Sequence, residues 1–169
     1  DPRFAELREE AIAVRWEMAP PFVAAARRSL LEIVRAAEPH GIAVGLENRY
    51  HFHELPAPYE YDELLDGLAP EQAGYWHDTG HAQIKENLGF IGHLMQLESL
   101  QARIGGFHIH DVQPPGKDHC APGTGCINFA ALKPFVKPEH IKVFEFSPRL
   151  TVDELKAGVA HVKNLWGSE

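Results

Sequence analysis

At 169 residues the chain has the length of one ordinary domain, and with 44% hydrophobic and 24% charged residues it can bury a core, which excludes global disorder. A formal net charge of −8 argues against a broad nucleic-acid surface, which needs clustered Lys and Arg, though one Arg or one helix N-terminus would still hold a small phosphorylated ligand. No apolar run is long enough to span a bilayer and no secretory signal is visible, so the expected location is the cytoplasm; the first residue is Asp1 rather than Met, and the true N-terminus is expected elsewhere.

Residues 21–38, PFVAAARRSLLEIVRAAE, place Phe22, Ala26, Leu30, Ile33, Val34 and Ala37 at helical spacing, and Pro39 and Gly41 should end that helix. IAVGLE (42–47) is a short apolar run of strand type. A loop follows, then a helical DELLDGL (62–68), then a second strand candidate in GYWHD (74–78). Asn87 can cap a helix over 88–104. GGFHIHD (105–111) is a third strand, and a long Pro/Gly loop runs from it to Asn128, which can cap FAALKPFV. IKVFEF (141–146) is a fourth strand. TVDE (151–154) fits a capping box that opens a last helix with Leu155, Val159, Val162 and Leu165 on one face. The expected domain is a single one over 1–169: a helix, then four β-α units, with no linker and no low-complexity segment. Short buried strands alternating with helices imply a parallel sheet covered by helices, an α/β fold. Cys120 and Cys126, in a Gly/Pro loop, are expected as free thiols.

Each strand delivers a metal-capable side chain: Glu47, Asp78, His108 and Glu145. The intervals of 31, 30 and 37 residues are each about one β-α repeat. In a parallel sheet the C-terminal strand ends converge on one site. Three carboxylates and one imidazole there would suit one divalent ion, Mn²⁺, Mg²⁺, Co²⁺ or Zn²⁺, better than a soft, thiolate-seeking metal. A single strand-end carboxylate is usually a solvated loop residue or a helix cap, and Asp78 alone could cap the turn before Gly80. Four coincident strand ends are harder to dismiss, and a buried Glu145 between aromatics would be costly without a partner. His81, three residues past Asp78, and His119, in the loop after the third strand, can reach the same site as substrate ligands or as ligands of a second metal. His51 and His53 read equally as loop surface or pocket lining; His40, His93, His140 and His161 are expected at the surface.

GLEN at 45–48, DTGH at 78–81, HIHD at 108–111, HCAPGTG at 119–125 and FEFSP at 144–148 together resemble the xylose isomerase-like TIM-barrel superfamily, which holds sugar-phosphate isomerases and epimerases and also endonuclease IV. The resemblance covers the whole chain. It implies that Glu47, Asp78, His108 and Glu145 are metal ligands, with His108 preferred over His110 through a His-x-x-Asp pattern ending at Asp111. It also implies that His81, His119 and Asn48 meet substrate. The family barrel has eight strands in about 250 residues. This chain resembles the C-terminal four β-α units, a half barrel, and part of the pocket would lie outside it.

The expected activity is a metal-dependent isomerase or epimerase of a sugar or sugar phosphate, working through an enediolate, with Glu47 and Glu145 as the proton-transferring pair. Two other readings are an endonuclease IV-like phosphodiesterase, which the acidic balance disfavours, and a non-catalytic barrel fragment serving assembly or binding. An isolated half barrel would leave its inner face wet, with Val44, Phe107 and Phe144 nearby, and its outer strands unpaired. The chain is therefore expected to be a homo-oligomer or to lack an N-terminal half.

Overall fold

The computed structural model describes residues 2–167. Two helices open the chain. α1 (Phe4–Met18) precedes any helix expected from the sequence, and Arg15 is its one buried residue. A helix bathed on nearly all sides carries little apolar stripe to read. α2 (Pro20–Ala37) follows after Ala19. Pro20 has no N–H to continue the ladder of α1, and its fixed φ suits a first helical turn, so the helix is interrupted there. α2 stops as the sequence implies: a 3-10 turn over Glu38–His40 runs into Gly41 at φ 64, a left-handed setting glycine adopts without strain. Its buried face is Val23, Leu30 and Val34. Phe22 and Ile33, expected on that face, are 60% and 54% exposed. The spacing is compatible with two neighbouring stripes, and packing against α3 selected one.

Along the chain follow β1 (Val44–Glu47), α3 (Tyr61–Leu65), β2 (Ala73–Asp78), α4 (Thr79–Asn87), α5 (His93–Leu100), β3 (Ile104–Ile109), β4 (Asp111–Gln113), β5 (Lys117–Cys120), α6 (Phe129–Leu132), β6 (Ile141–Phe144) and α7 (Val152–Trp166). The four expected strands form one parallel sheet in the order β1-β2-β3-β6. This is an α/β partial barrel. The Thr151/Glu154 capping box opens α7 as expected, and Asn128 caps α6, its Oδ1 accepting from Ala131 N at 3.2 Å. Both cysteines are free thiols, Cys120 buried and Cys126 exposed. No helix among the described residues is long and apolar enough to cross a membrane.

Three further elements differ from expectation. Asn87 does not cap a helix over 88–104; it is the last residue of α4, which starts directly after β2. Gly89 at φ 72 turns the chain out of α4, and α5 is capped from outside, Glu86 Oε1 accepting from His93 N at 2.8 Å. The Pro/Gly loop after β3 contains an antiparallel hairpin, β4 with β5. The Asp111 carboxylate ties this loop down: Oδ1 accepts from Val112 N at 2.8 Å and Ile127 N at 3.0 Å, and Oδ2 from Gly123 N and Gly125 N at 2.9 Å each. The last strand ends at Phe144, one residue before Glu145.

The pleat gives the sheet two unlike faces. Tyr75, His77, Phe107 and Ile109 lie on the helix side, fully buried in the core with Leu64, Leu97, Phe129 and Trp166. The opposite face carries Glu47, Trp76, Asp78, His108, Val143 and Glu145, with Gly45 and Gly106 beneath the Trp76 indole. A Cβ at Gly106 would come within 2.5 Å of that ring and 2.8 Å of Ile141 O. The expectation that Val44, Phe107 and Phe144 face water is wrong by parity. Phe107 is fully buried, and Val44 and Phe144 pack against the core; Ile141 and Val143 take the exposed places at 59% and 40%.

α1 is fastened by one buried ion pair. Arg15 Nη1 donates to Glu60 Oε1 at 2.5 Å and Nη2 to Oε2 at 2.9 Å. The same guanidinium donates to Phe52 O at 2.8 Å, Glu54 O at 3.0 Å and Tyr59 Oη at 2.7 Å, so it holds the whole loop after β1.

Candidate metal centre

Glu47 closes β1, Asp78 closes β2, His108 is the last but one residue of β3, and Glu145 lies just past β6. Parallel register sets Asp78 beside His108 and His108 beside Val143, two residues before Glu145. All four side chains stand on the helix-free face, where they meet. His108 Nδ1 lies 2.7 Å from Glu47 Oε1, 3.3 Å from Glu145 Oε2 and 3.9 Å from Asp78 Oδ2. One ligand atom from each residue lies within 4.8 Å of all the others. The Glu145 side chain is 44% exposed, not buried between aromatics as expected, because the strand has already ended; Asp78 is fully enclosed.

Three carboxylates on one imidazole form a strongly anionic focus. Arg49 relieves only its rim, its Nη1 donating to Glu47 Oε2 at 2.7 Å. Such a cluster is poorly stable without a cation at its centre, and the oxygen-rich donor set fits a hard or borderline divalent ion.

The DTGH stretch has several functions at once. Asp78 is the N-cap of α4, its Oδ1 accepting from His81 N at 2.7 Å. Its Oδ2 also lies 3.1 Å from His110 Nε2. Burial would raise the Asp78 pKa, but the His110 hydrogen bond and the His110 and His81 charges outweigh it and hold the carboxyl at about 2. For His110 burial acts downward, and the Asp78 partnership still raises it. Gly80 lies directly against the His110 imidazole, and a Cβ there would run into the ring. Thr79 Oγ1 donates to His110 O at 2.7 Å and fixes the same contact from the other side.

His81 is nearly buried and lies over the cluster, its Nδ1 2.9 Å from Asn48 O, 3.5 Å from Asp78 Oδ1 and 4.0 Å from Glu47 Oε1. A carbonyl only accepts, so Nδ1 donates in this contact. His119, at φ 54, stacks on His110 with centroids 4.2 Å apart, and its Nε2 is 3.6 Å from Glu145 Oε1. Asn48, expected at substrate, is fully buried with its amide engaged elsewhere. Its Nδ2 donates to Asp78 O at 2.9 Å, and its Oδ1 accepts from Asp78 N at 2.7 Å and Tyr75 Oη at 3.2 Å. It therefore positions Asp78 from behind.

Sequence reasoning passed over His110, the partner of Asp78, although it stands two residues after His108 in the same run. It also placed His93 and His140 at the surface, and both are buried. His77 Nε2 and His93 Nε2 are 2.9 Å apart, with Tyr75 Oη on His77 Nδ1 at 2.6 Å and Gln83 Oε1 near His93 Nδ1 at 3.2 Å. Burial holds His93 at about 4, and His77 falls well below its ordinary value for the same reason. His51 and His53 stack on each other at the surface.

A parallel sheet with helices on one side and an acidic-histidine cluster at its C-terminal edge defines part of a (β/α) barrel with a candidate metal centre. The chain belongs to the xylose isomerase-like TIM barrel family, whose model matches residues 20–162. It is 31% identical over 103 residues to an uncharacterised protein of Methanocaldococcus jannaschii, covering 60% of this chain and 34% of that one. Among solved structures it is similar to a D-tagatose 3-epimerase-like protein, with 28% identity and a TM-score of 0.61 over 82% of this chain and 54% of that one. A D-allulose 3-epimerase from Methylomonas sp. matches with 28% identity and a TM-score of 0.52, over 85% and 48% of the two chains. The chain thus spans about half the length of these solved relatives.

Proposed function

We propose that this chain carries the metal-binding half of a divalent-metal-dependent isomerase or epimerase acting on a sugar or sugar phosphate. The convergence of Glu47, Asp78, His108 and Glu145 within 4.8 Å of one another carries the reading. Similarity to solved proteins named as ketose 3-epimerases supports the substrate class. The four residues would hold the ion, which when bound supplies Lewis acidity toward a carbonyl oxygen and its neighbouring hydroxyl. Glu47 closes β1 and Glu145 follows β6, the two edge strands of the sheet. One removes the proton from the carbon beside the carbonyl, and the other returns a proton to the opposite face. Asp78, locked by His81, His110 and Asn48, stays ionised and fixed as a ligand. His81 presents Nε2, and His119 its ring edge, to substrate hydroxyls.

Calorimetric titration of the chain with Mn²⁺ and with Zn²⁺ tests the centre. One ion per chain is expected, with binding lost in Asp78→Asn. Unaltered uptake by that variant, or none by the native chain, would sink the assignment. With D-fructose or D-tagatose in deuterated water, deuterium is expected at the carbon next to the carbonyl, and Glu47→Gln or Glu145→Gln should stop it. Product formed without deuterium would replace proton transfer by a hydride shift.

A further inference from the structure

The loop after β1 carries a chain of charges that ends on the acidic cluster. Arg49 Nη1 donates to Glu47 Oε2 at 2.7 Å, and Arg49 Nε lies 3.8 Å from Glu54 Oε1. One guanidinium thus stands between a carboxylate of the cluster and a carboxylate outside it. Glu54 is itself held. Its Oε2 accepts from His51 N at 2.8 Å, and its backbone O accepts from Arg15 Nη2 at 3.0 Å. Burial would raise the Glu54 carboxyl, but the His51 N–H, Arg49 and the His51 and His53 charges outweigh it and hold it below its ordinary value. The backbone on either side of Arg49 is fixed as well, since Asn48 is fully buried and Tyr50 packs against the core.

A lone exposed ion pair does little for stability, but a planar fork set between two anchored carboxylates fixes geometry. With Oε2 on Arg49, Glu47 turns only Oε1 toward the cluster, 2.7 Å from His108 Nδ1. Glu145 has no such brace among the described residues. Its side chain is 44% exposed, and its partners are His108 Nδ1 at 3.3 Å and His119 Nε2 at 3.6 Å. The two glutamates of the cluster are therefore unlike: one is clamped and the other loosely held.

We propose, resting on the metal-dependent reading above, that Arg49 is a positioning residue. It keeps one oxygen of Glu47 away from the ion, so that Glu47 serves as a fixed, one-oxygen ligand. Glu145 is then the carboxylate free to swing between the ion and the substrate carbon. Glu54, tied to α1 through Arg15, holds Arg49 in place.

The test is a titration of the full chain with Co²⁺, whose visible absorption reports the number and arrangement of its ligand atoms. Arg49→Met should give a weaker band than the native chain, since a released Glu47 brings a second oxygen to the ion. Affinity should not fall, because a cation has left the rim of an anionic cluster. Arg49→Lys keeps the charge but not the fork, and should weaken the band too. Glu54→Gln, which still offers His51 N an acceptor, should weaken it less. In the deuterium-uptake assay, kcat of Arg49→Met should drop about tenfold with KM within about twofold of native. The Arg49 side chain is 44% exposed, so each variant at this position should melt as the native chain does. A native band in Arg49→Met, or one restored by Arg49→Lys, would overturn the brace while leaving the ion centre standing. No Co²⁺ uptake by the native chain would overturn the centre and the brace together.

Discussion

At the scale of single residues, the DTGH stretch shows how local preference yields to a tertiary contact. Gly80 lies in the first turn of α4, where alanine would ordinarily stabilise a helix by up to about 1 kcal/mol. Here the His110 ring occupies the space a Cβ needs. Gly80→Ala should therefore destabilise by roughly 1–3 kcal/mol and weaken Mn²⁺ uptake, because displacing His110 releases Asp78; a melt at or above the native temperature would contradict this. Asp111 is a second case. Its carboxylate receives four backbone N–H groups. Asp111→Asn turns a donor toward two of them, and urea unfolding should show a loss of about 2–4 kcal/mol. An unchanged midpoint would mean that the loop finds other acceptors.

At the scale of elements, the structure depends on buried polar links between neighbours. The His77–His93 pair joins β2 to α5, and both imidazoles are neutral in the folded chain. The sign follows from the depressed folded value. Unfolded His93 takes up protons below its ordinary 6.5, the folded form only near about 4, so this contribution is complete above 6.5 and lost as pH falls toward 4. It amounts to roughly 3 kcal/mol. His93→Gln should flatten stability between those two pH values; an unaltered slope would assign the acid loss elsewhere. α1 is held in the same manner by Arg15 on Glu60. Arg15→Leu leaves a buried carboxylate unpaired and should cost about 3–5 kcal/mol, which chemical denaturation would read directly.

At the scale of the whole molecule, the described sheet has four strands, with β1 and β6 as open edges and Ile141 and Val143 exposed on the helix-free face. α1 and α2 add Trp16, Met18 and Phe22, each more than half exposed. Open edges beside apolar surface invite pairing, and two sheets of four strands supply the eight that close a barrel. Light scattering at low protein concentration is expected to give a mass above the 18.9 kDa of one chain, near twice that value. Val143→Lys, placed on edge strand and open face together, should shift it toward the monomer. A monodisperse monomer with a cooperative melt would show that the exposed face needs no cover.

The four strands, their parallel order and the four cluster residues were legible in the sequence because the β-α period repeats and the carboxylates and imidazole recur at its strand ends. The α7 capping box and the Asn128 cap were legible for a similar reason: they are local, each joining residues three apart in the chain. Partnerships between distant residues were not legible. That His110 holds Asp78, that Asn48 is spent behind the site, and that His93 is buried all follow from side chains separated by at least 16 residues and joined only by packing. The same holds for which stripe of α2 turns inward and which parity of each strand faces the helices. Spacing defines the candidate faces, but only the neighbour across the gap determines which one is dry.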